Sequence, residues 1–182
     1  MTRYTDYELD DLDPARRAVA DKIVGGPRGS FRGPFKILIE NPGLADAVQS
    51  LGAYLRFESA PADAVRELVI LTVSRHWNCG YEWISHLPIG LKAGLSAEVA
   101  EAIRKGAEPD FDDPDLAAAY ALATELLETK QLTGPTFETA VERLGKSAVL
   151  DLAATVGYYG LMAAAMNAFE MALPPDAEDP FA

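Results

Sequence analysis

Apolar side chains return every third or fourth residue along most of this chain, the period of a helix with one buried face. Leu44, Val48, Leu51 and Leu55 follow the cap-plus-proline pair Asn41-Pro42 and predict a helix over residues 42–57. Asp13-Pro14 starts another, stopped after Val24 by Gly25-Gly26-Pro27. Asp113-Pro114 starts a third, to Thr129, with Leu116, Tyr120, Ala123 and Leu127 on one side. From Pro61 the pattern changes. Val65, Leu68, Val69, Ile70, Leu71 and Val73 leave the next helix apolar on most faces, so it should be central. It runs directly into the stretch Arg75–His86, which continues as helix to Ala93 and is closed by Gly94, with a kink expected at Ile84–Pro88.

Ser96 caps a helix to Lys105, an acidic linker covers residues 108–113, and helices over 135–144 and Ser147–Leu173 complete the set. Residues 28–33 read as a loop, and the apolar run Phe35–Ile39 is ambiguous between helix and strand. No alternating pattern flanked by hairpin turns occurs. The prediction is an all-α, single-domain bundle of about seven to eight helices over residues 13–173, with an acidic N-terminal arm (1–12) and a C-terminal tail (174–182). The two halves share an outline, an apolar helix leading to an aromatic pair (His76-Trp77, Tyr158-Tyr159) and then a polar residue (His86, Asn167).

Composition narrows the function classes. The 28 acidic against 16 basic side chains give a net charge of −12, which repels phosphate backbones and anionic membrane surfaces, so no nucleic-acid partner is expected. One stretch, Leu152–Phe169, approaches transmembrane length. Its Ala/Gly richness and the neighbouring Asp151, Asn167 and Glu170 instead suit a helix buried on all sides or at a subunit interface. A single cysteine forms no intrachain disulfide, and residues 1–17 lack a signal-peptide apolar region, so a cytoplasmic location is expected.

The candidate chemistry lies in one place. The only cysteine, both histidines and both tryptophans fall between His76 and His86. At ~100° per residue, Cys79, Glu82 and His86 project within about 60° of one another on a helix. Each has an ordinary reading: a lone cysteine is most often a small buried hydrophobe, a lone histidine a structural hydrogen-bonder. Glu82 on an aromatic, apolar helix says more, because carboxylates are rarely buried unless paired; it should contact His86 or a substrate. Asn78 as N-cap would put Cys79 in a first helical turn, where the dipole favours a thiolate. Trp77, Tyr81 and Trp83 are core aromatics or the walls of a dry pocket, and Arg75 and His76 suit a helix C-terminus. Cys79, Glu82 and His86 offer metal-ligand types, but their spacing is not a usual zinc pattern, and no metal or organic cofactor is expected.

Glu67, then Cys79 twelve residues on, then position 82 and His86, resemble the active-site pattern of the carboxymuconolactone decarboxylase superfamily, which includes alkyl hydroperoxidase D. The similarity covers about Pro42 to Ile103, and the stretch from Val156 through Asn167 is similar to a later family helix. Arg75-His-Trp-Asn-Cys-Gly-Tyr-Glu-Trp83 looks most like the decarboxylase-like branch. Where the hydroperoxidase branch has a second cysteine, this chain has Glu82, so a disulfide cycle within one chain is ruled out. The resemblance implies an alkyl hydroperoxidase D-like fold and a homo-oligomer, trimeric or hexameric. It further implies Glu67 as relay carboxylate, Cys79 at the peroxidatic-side position and His86 as proton shuttle; Glu67 read alone is only an acid near a helix start.

Two activities are weighed. In the first, Glu82 and His86 do acid–base work on a small carboxylated lactone or ring acid, with Arg75 on a substrate carboxylate and His76, Tyr81 and Trp83 lining the substrate. In the second, Cys79 reduces peroxide and is resolved by an external thiol, which requires an exposed thiol of depressed pKa. A third option is a satisfied polar patch in a non-catalytic oligomer. The missing second thiol puts acid–base chemistry first.

Overall fold

The computed structural model of the chain describes residues 2–182, and among them every regular element is helical. Nine α-helices and one 3₁₀ turn (Leu9–Asp11) are present, one or two more than the sequence pattern suggests. Part of the surplus is the short α2, Phe35–Leu38, which settles the ambiguous apolar run as helix. The chain divides into two compact units, one comprising residues up to Ser59 together with Ala164–Ala172, the other Ala60–Ala163 with Leu173–Ala182.

In the first unit, α1 (Pro14–Gly25) and α2 both pack on α3 (Pro42–Phe57). The cap-plus-proline signals operate as expected. Asp13 accepts from the N–H groups of Ala15 and Arg16, and Asn41 from that of Leu44, satisfying donors that a first turn leaves open. Several cations tie down the acidic arm, among them Arg16 and Arg17 of α1, which donate to the Tyr7 hydroxyl at 3.1 Å and the Leu9 carbonyl at 3.3 Å. The Lys36 ammonium donates to the Tyr7 carbonyl and lies 3.1 Å from Asp6 and 3.3 Å from Glu8. The Arg3 guanidinium donates to the Ala168 carbonyl at 3.2 Å and pairs with Glu170 at 2.6 Å, while the Arg3 N–H donates to the Phe169 carbonyl. Arg3 therefore caps the C-terminus of α9 (Lys146–Ala168), where carbonyls lack partners and a cation suits the dipole. That helix stops five residues short of Leu173. Glu170 adopts a left-handed φ of 52°, and Met171 N–H closes the turn back to Met166.

The second unit is built on α4 (Asp63–His76), which packs against α5 (Gly80–Lys92), α6 (Ala97–Lys105) and α7 (Pro114–Thr129); α8 (Gly134–Leu144) packs on α7. From Val65 to Ser74 every residue of α4 is buried, which makes it the central helix the pattern predicts. The portion of α9 in this unit buries Val149, Leu152, Val156, Tyr158, Tyr159 and Met162, so a helix long and apolar enough to cross a membrane by length and composition serves here as core.

One expectation fails at the point that matters most. α4 does not run on into α5; the chain turns at Trp77-Asn78-Cys79. Asn78 takes a left-handed φ of 48°, its N–H donates to the Arg75 carbonyl, and Cys79 N–H donates to Ser74 O at 2.8 Å. These are the paired bonds that close a helix around a left-handed residue, and asparagine tolerates that conformation better than most. Asn78 is thus the C-terminal stop of α4, and the N-cap of α5 is Cys79 itself. α5 then continues unbroken through Pro88.

Candidate active site

The corner places Cys79 between two helices. Its amide completes α4, and its carbonyl accepts from Trp83 N–H at 3.2 Å to begin α5. One turn along α5 stands Glu82, and one turn further His86. All three are buried: Cys79 is 2%, Glu82 4% and His86 5% exposed. Glu67 reaches the same imidazole from α4 and is 2% exposed. His86 Nδ1 lies 2.7 Å from Glu67 Oε2, a short hydrogen bond, and His86 Nε2 lies 3.4 Å from Glu82 Oε2. The imidazole is therefore held between carboxylates from two helices.

Close packing makes this reach available. A Cβ on Gly90, one turn beyond His86, would stand in ordinary contact with the Glu67 Cβ at 3.4 Å and Leu71 Cδ1 at 3.6 Å, so α5 lies against α4 at the level of Glu67. The Tyr159 ring of α9 packs edge-on against the imidazole, with centroids 5.1 Å apart and planes at 87°. Burial of both carboxylates demands compensation. The imidazole supplies a hydrogen bond to one and, when protonated, a countercharge to both.

The thiol beside them is not activated. Burial pushes the Cys79 thiol up to about 12; the Glu82 backbone amide opposes it, the Glu82 carboxylate adds a smaller push upward, and the Tyr81 backbone amide opposes it least. The thiolate expected of a first-turn cysteine is absent because desolvation outweighs the helix terminus. A depressed pKa and an exposed sulfur, the two requirements of the peroxidatic alternative, are both contradicted.

Other residues singled out by the sequence have surroundings of their own: Trp83 at the tail, Arg75 and His76 in a cleft. Trp83 faces the C-terminal tail, its ring 5.4 Å from that of Phe181. Tyr81 is half-buried in the first turn of α5. Arg75 and His76 line a different cleft, between α4, α6 and α7, whose lining includes none of Glu67, Cys79, Glu82 and His86. Among the described residues no group of three or more His, Cys, Asp or Glu is arranged to hold a metal ion.

Two features escaped the sequence reading. Tyr159 was visible only as half of a Tyr-Tyr pair in an Ala/Gly-rich helix, with nothing local to link it to His86. The tail contact was not visible at all. A Cβ on Gly80 would meet Leu173 Cδ2 at 3.1 Å, Pro180 Cδ at 3.2 Å and Asp179 Oδ1 at 3.3 Å, so the tail lies directly on the first residue of α5.

The sequence model of the carboxymuconolactone decarboxylase family matches residues 42–125, the span that carries α3 to α6, most of α7, and Glu67, Cys79, Glu82 and His86. No curated protein sequence matches the chain. A crystal structure from Ralstonia eutropha JMP134, described as an alkylhydroperoxidase AhpD core and an uncharacterized peroxidase-related protein, is similar in fold. It superposes with a TM-score of 0.79 at 20% sequence identity, covering 99% of this chain and 94% of that one.

Proposed function

We propose, from the match of residues 42–125 to the carboxymuconolactone decarboxylase family and from the geometry of its site, that this chain is a member of that family and an enzyme of cofactor-free proton transfer, acting on a small carboxylated lactone or related ring acid. One observation carries the reading: His86 sits between the Glu67 and Glu82 carboxylates in a buried, aromatic-walled setting.

The roles follow from the two ends of the ring. Glu67 accepts the Nδ1 proton, fixing the tautomer and directing Nε2 toward Glu82. Glu82 and Nε2 then form the working face. In decarboxylation of such a substrate, the bond between the ring carbon and its carboxylate breaks and carbon dioxide leaves. The electron pair remains on the ring, conjugated with the lactone carbonyl, and must be quenched by a proton at carbon. A proton on Glu82, or on Nε2 of an imidazolium that the Glu67 carboxylate stabilises, is positioned to supply it; donation from Nε2 leaves a neutral imidazole whose Nδ1–H still bonds Glu67.

The thiol reading has the peroxidase-related description of the structural neighbour in its favour. Against it stand a buried sulfur pushed up to about 12 and Glu82 in place of the partner thiol. We further propose a homo-oligomer. Leu150 is 71% and Leu161 42% exposed on α9, and with Ala154 and Gly157 between them they form a stripe at the 4-3-4 spacing of a helix–helix seam.

The deciding experiment assays carboxymuconolactone turnover in parallel with peroxide consumption driven by a thiol reductant. Glu82→Gln and His86→Ala should each lower kcat/KM for the lactone by about 10²–10⁴-fold, while Cys79→Ser changes it little. Cys79-dependent peroxide consumption with no lactone turnover would reverse the assignment.

A further inference from the structure

Three helices contribute to the surroundings of His86, each in a different way. Glu67 of α4 meets Nδ1 at 2.7 Å, and Glu82 of α5 stands 3.4 Å from Nε2. From α9 the Tyr159 ring packs at 87° to the imidazole, with centroids 5.1 Å apart. Proton transfer gives the two carboxylates their roles and leaves Tyr159 without one. Its ring is 3% exposed and is backed by that of Tyr158, 5.2 Å away at 77°.

The unequal distances need a cause. A charge-assisted N–H···O bond closes to about 2.7–2.9 Å; the contact with Glu67 is that short and the contact with Glu82 is not. Glu82 and His86 stand one turn apart on the same helix, so the spacing of helices does not hold them apart. Side-chain torsion could close the gap, and the outer torsion of histidine is broad, with no narrow well to hold the ring. The plane of the imidazole therefore has to be set from outside α5. Tyr159 is in place to set it. In a perpendicular pair the edge of one ring meets the face of the other, so an imidazole that turns about its bond to Glu67 gives up the contact.

We propose that Tyr159 is a positioning residue, whose ring fixes the plane of the His86 imidazole and keeps Nε2 from closing onto Glu82. An Nε2 bonded to Glu82 would be occupied, whereas one held off it can exchange a proton with a third group. The inference deepens the proton-transfer reading and rests on it for its effect on turnover. The state of the imidazole nitrogens is read without any substrate.

Long-range 1H–15N NMR of the full chain reads both nitrogens. The chain has two histidines, and a His76→Gln sample identifies the His86 signals. With the ring neutral, the native protein should show a protonated Nδ1 and an unprotonated Nε2, their shifts widely separated. Tyr159→Met fills the same space without a flat ring, and circular dichroism checks its fold. There the two shifts should converge as the proton is shared between Nδ1 and Nε2. In the lactone assay its kcat should fall by about 10–10²-fold, with KM little changed. Tyr159→Leu is a second ringless variant and should converge likewise, while Tyr159→Phe keeps the ring and should keep the native separation. A native spectrum in either ringless variant overturns the proposal. So does convergence in Tyr159→Phe, which would give the role to the hydroxyl. Absence of lactone turnover by the native protein would count against the reaction alone, since the nitrogen shifts decide the positioning.

Discussion

Cys79 and His86 are buried to a similar depth among different partners. His86 Nδ1 and Nε2 face the Glu67 and Glu82 carboxylates. Cys79 loses water with little in exchange, so burial, with a smaller push from the Glu82 carboxylate, takes its thiol up to about 12. The sign for stability follows directly. A thiol whose folded pKa is raised contributes fully below its unfolded value, near about 8.5, and that contribution is lost as pH rises toward the folded value. Iodoacetamide labelling of native protein, followed by mass spectrometry, should be slow at pH 8 compared with urea-unfolded chain and should keep accelerating at higher pH. A rate that levels off between pH 7 and 9 would identify an activated thiolate. Removing Glu67 breaks the buried pair from the other side. Glu67→Ala should cost about 3–5 kcal/mol of stability in urea titrations, and more than Glu67→Gln, which retains a hydrogen-bonding group.

At the level of elements, the corner at Asn78 carries the site. Asn78→Gly should be neutral or slightly stabilising, whereas Asn78→Val should cost about 1–2 kcal/mol and shift Cys79 with the start of α5. Equal thermal midpoints for the two variants would contradict the role given to the left-handed turn. This corner also marks the limit of what the chain reveals by inspection. Asparagine suits both an N-cap and a left-handed helix stop, so the residue is conspicuous while its role stays ambiguous. The periodic stripe of α7 was legible because Ala123 and Leu127 lie on its buried face, whereas in α3 the stripe marked the helix but not its buried face, since Val48 and Leu55 are buried while Leu44 and Leu51 are exposed. The end of α9 was not legible, since Glu170 supplies the left-handed turn where a glycine would be the visible signal, and the cap arrives from Arg3. The stripe of Cys79, Glu82 and His86 could be read from helical spacing alone. The bond from Glu67 to His86 depends on how α4 meets α5, which no local pattern encodes; only the family resemblance pointed to Glu67.

At the level of the whole molecule, two surfaces invite tests. If the Leu150–Leu161 stripe is a subunit seam, Leu150→Glu with Leu161→Lys should give a smaller species by size-exclusion chromatography with light scattering, with helical content unchanged. An unaltered mass would remove α9 from the interface. The tail is the second. Phe181 lies between Trp83 and Arg75, and Arg104 donates to the Pro180 carbonyl at 2.8 Å. Removing residues 173–182 should red-shift tryptophan emission and speed Cys79 alkylation, because Gly80 and Trp83 would then face water.

The Arg3 cap also sets an order of events during synthesis. Arg3 is made long before its partner carbonyl on Ala168, which lies 165 positions later. The first unit is assembled from both ends of the sequence and cannot close until Ala164–Ala172 has left the ribosome. Residues 60–163 are contiguous and include α4 to α8 with most of α9, so the segment that holds Glu67, Cys79, Glu82 and His86 can pack while the N-terminal helices still wait for their last strand of chain. In pulse-labelling hydrogen exchange, amides of α4 and α5 should gain protection before those of α1.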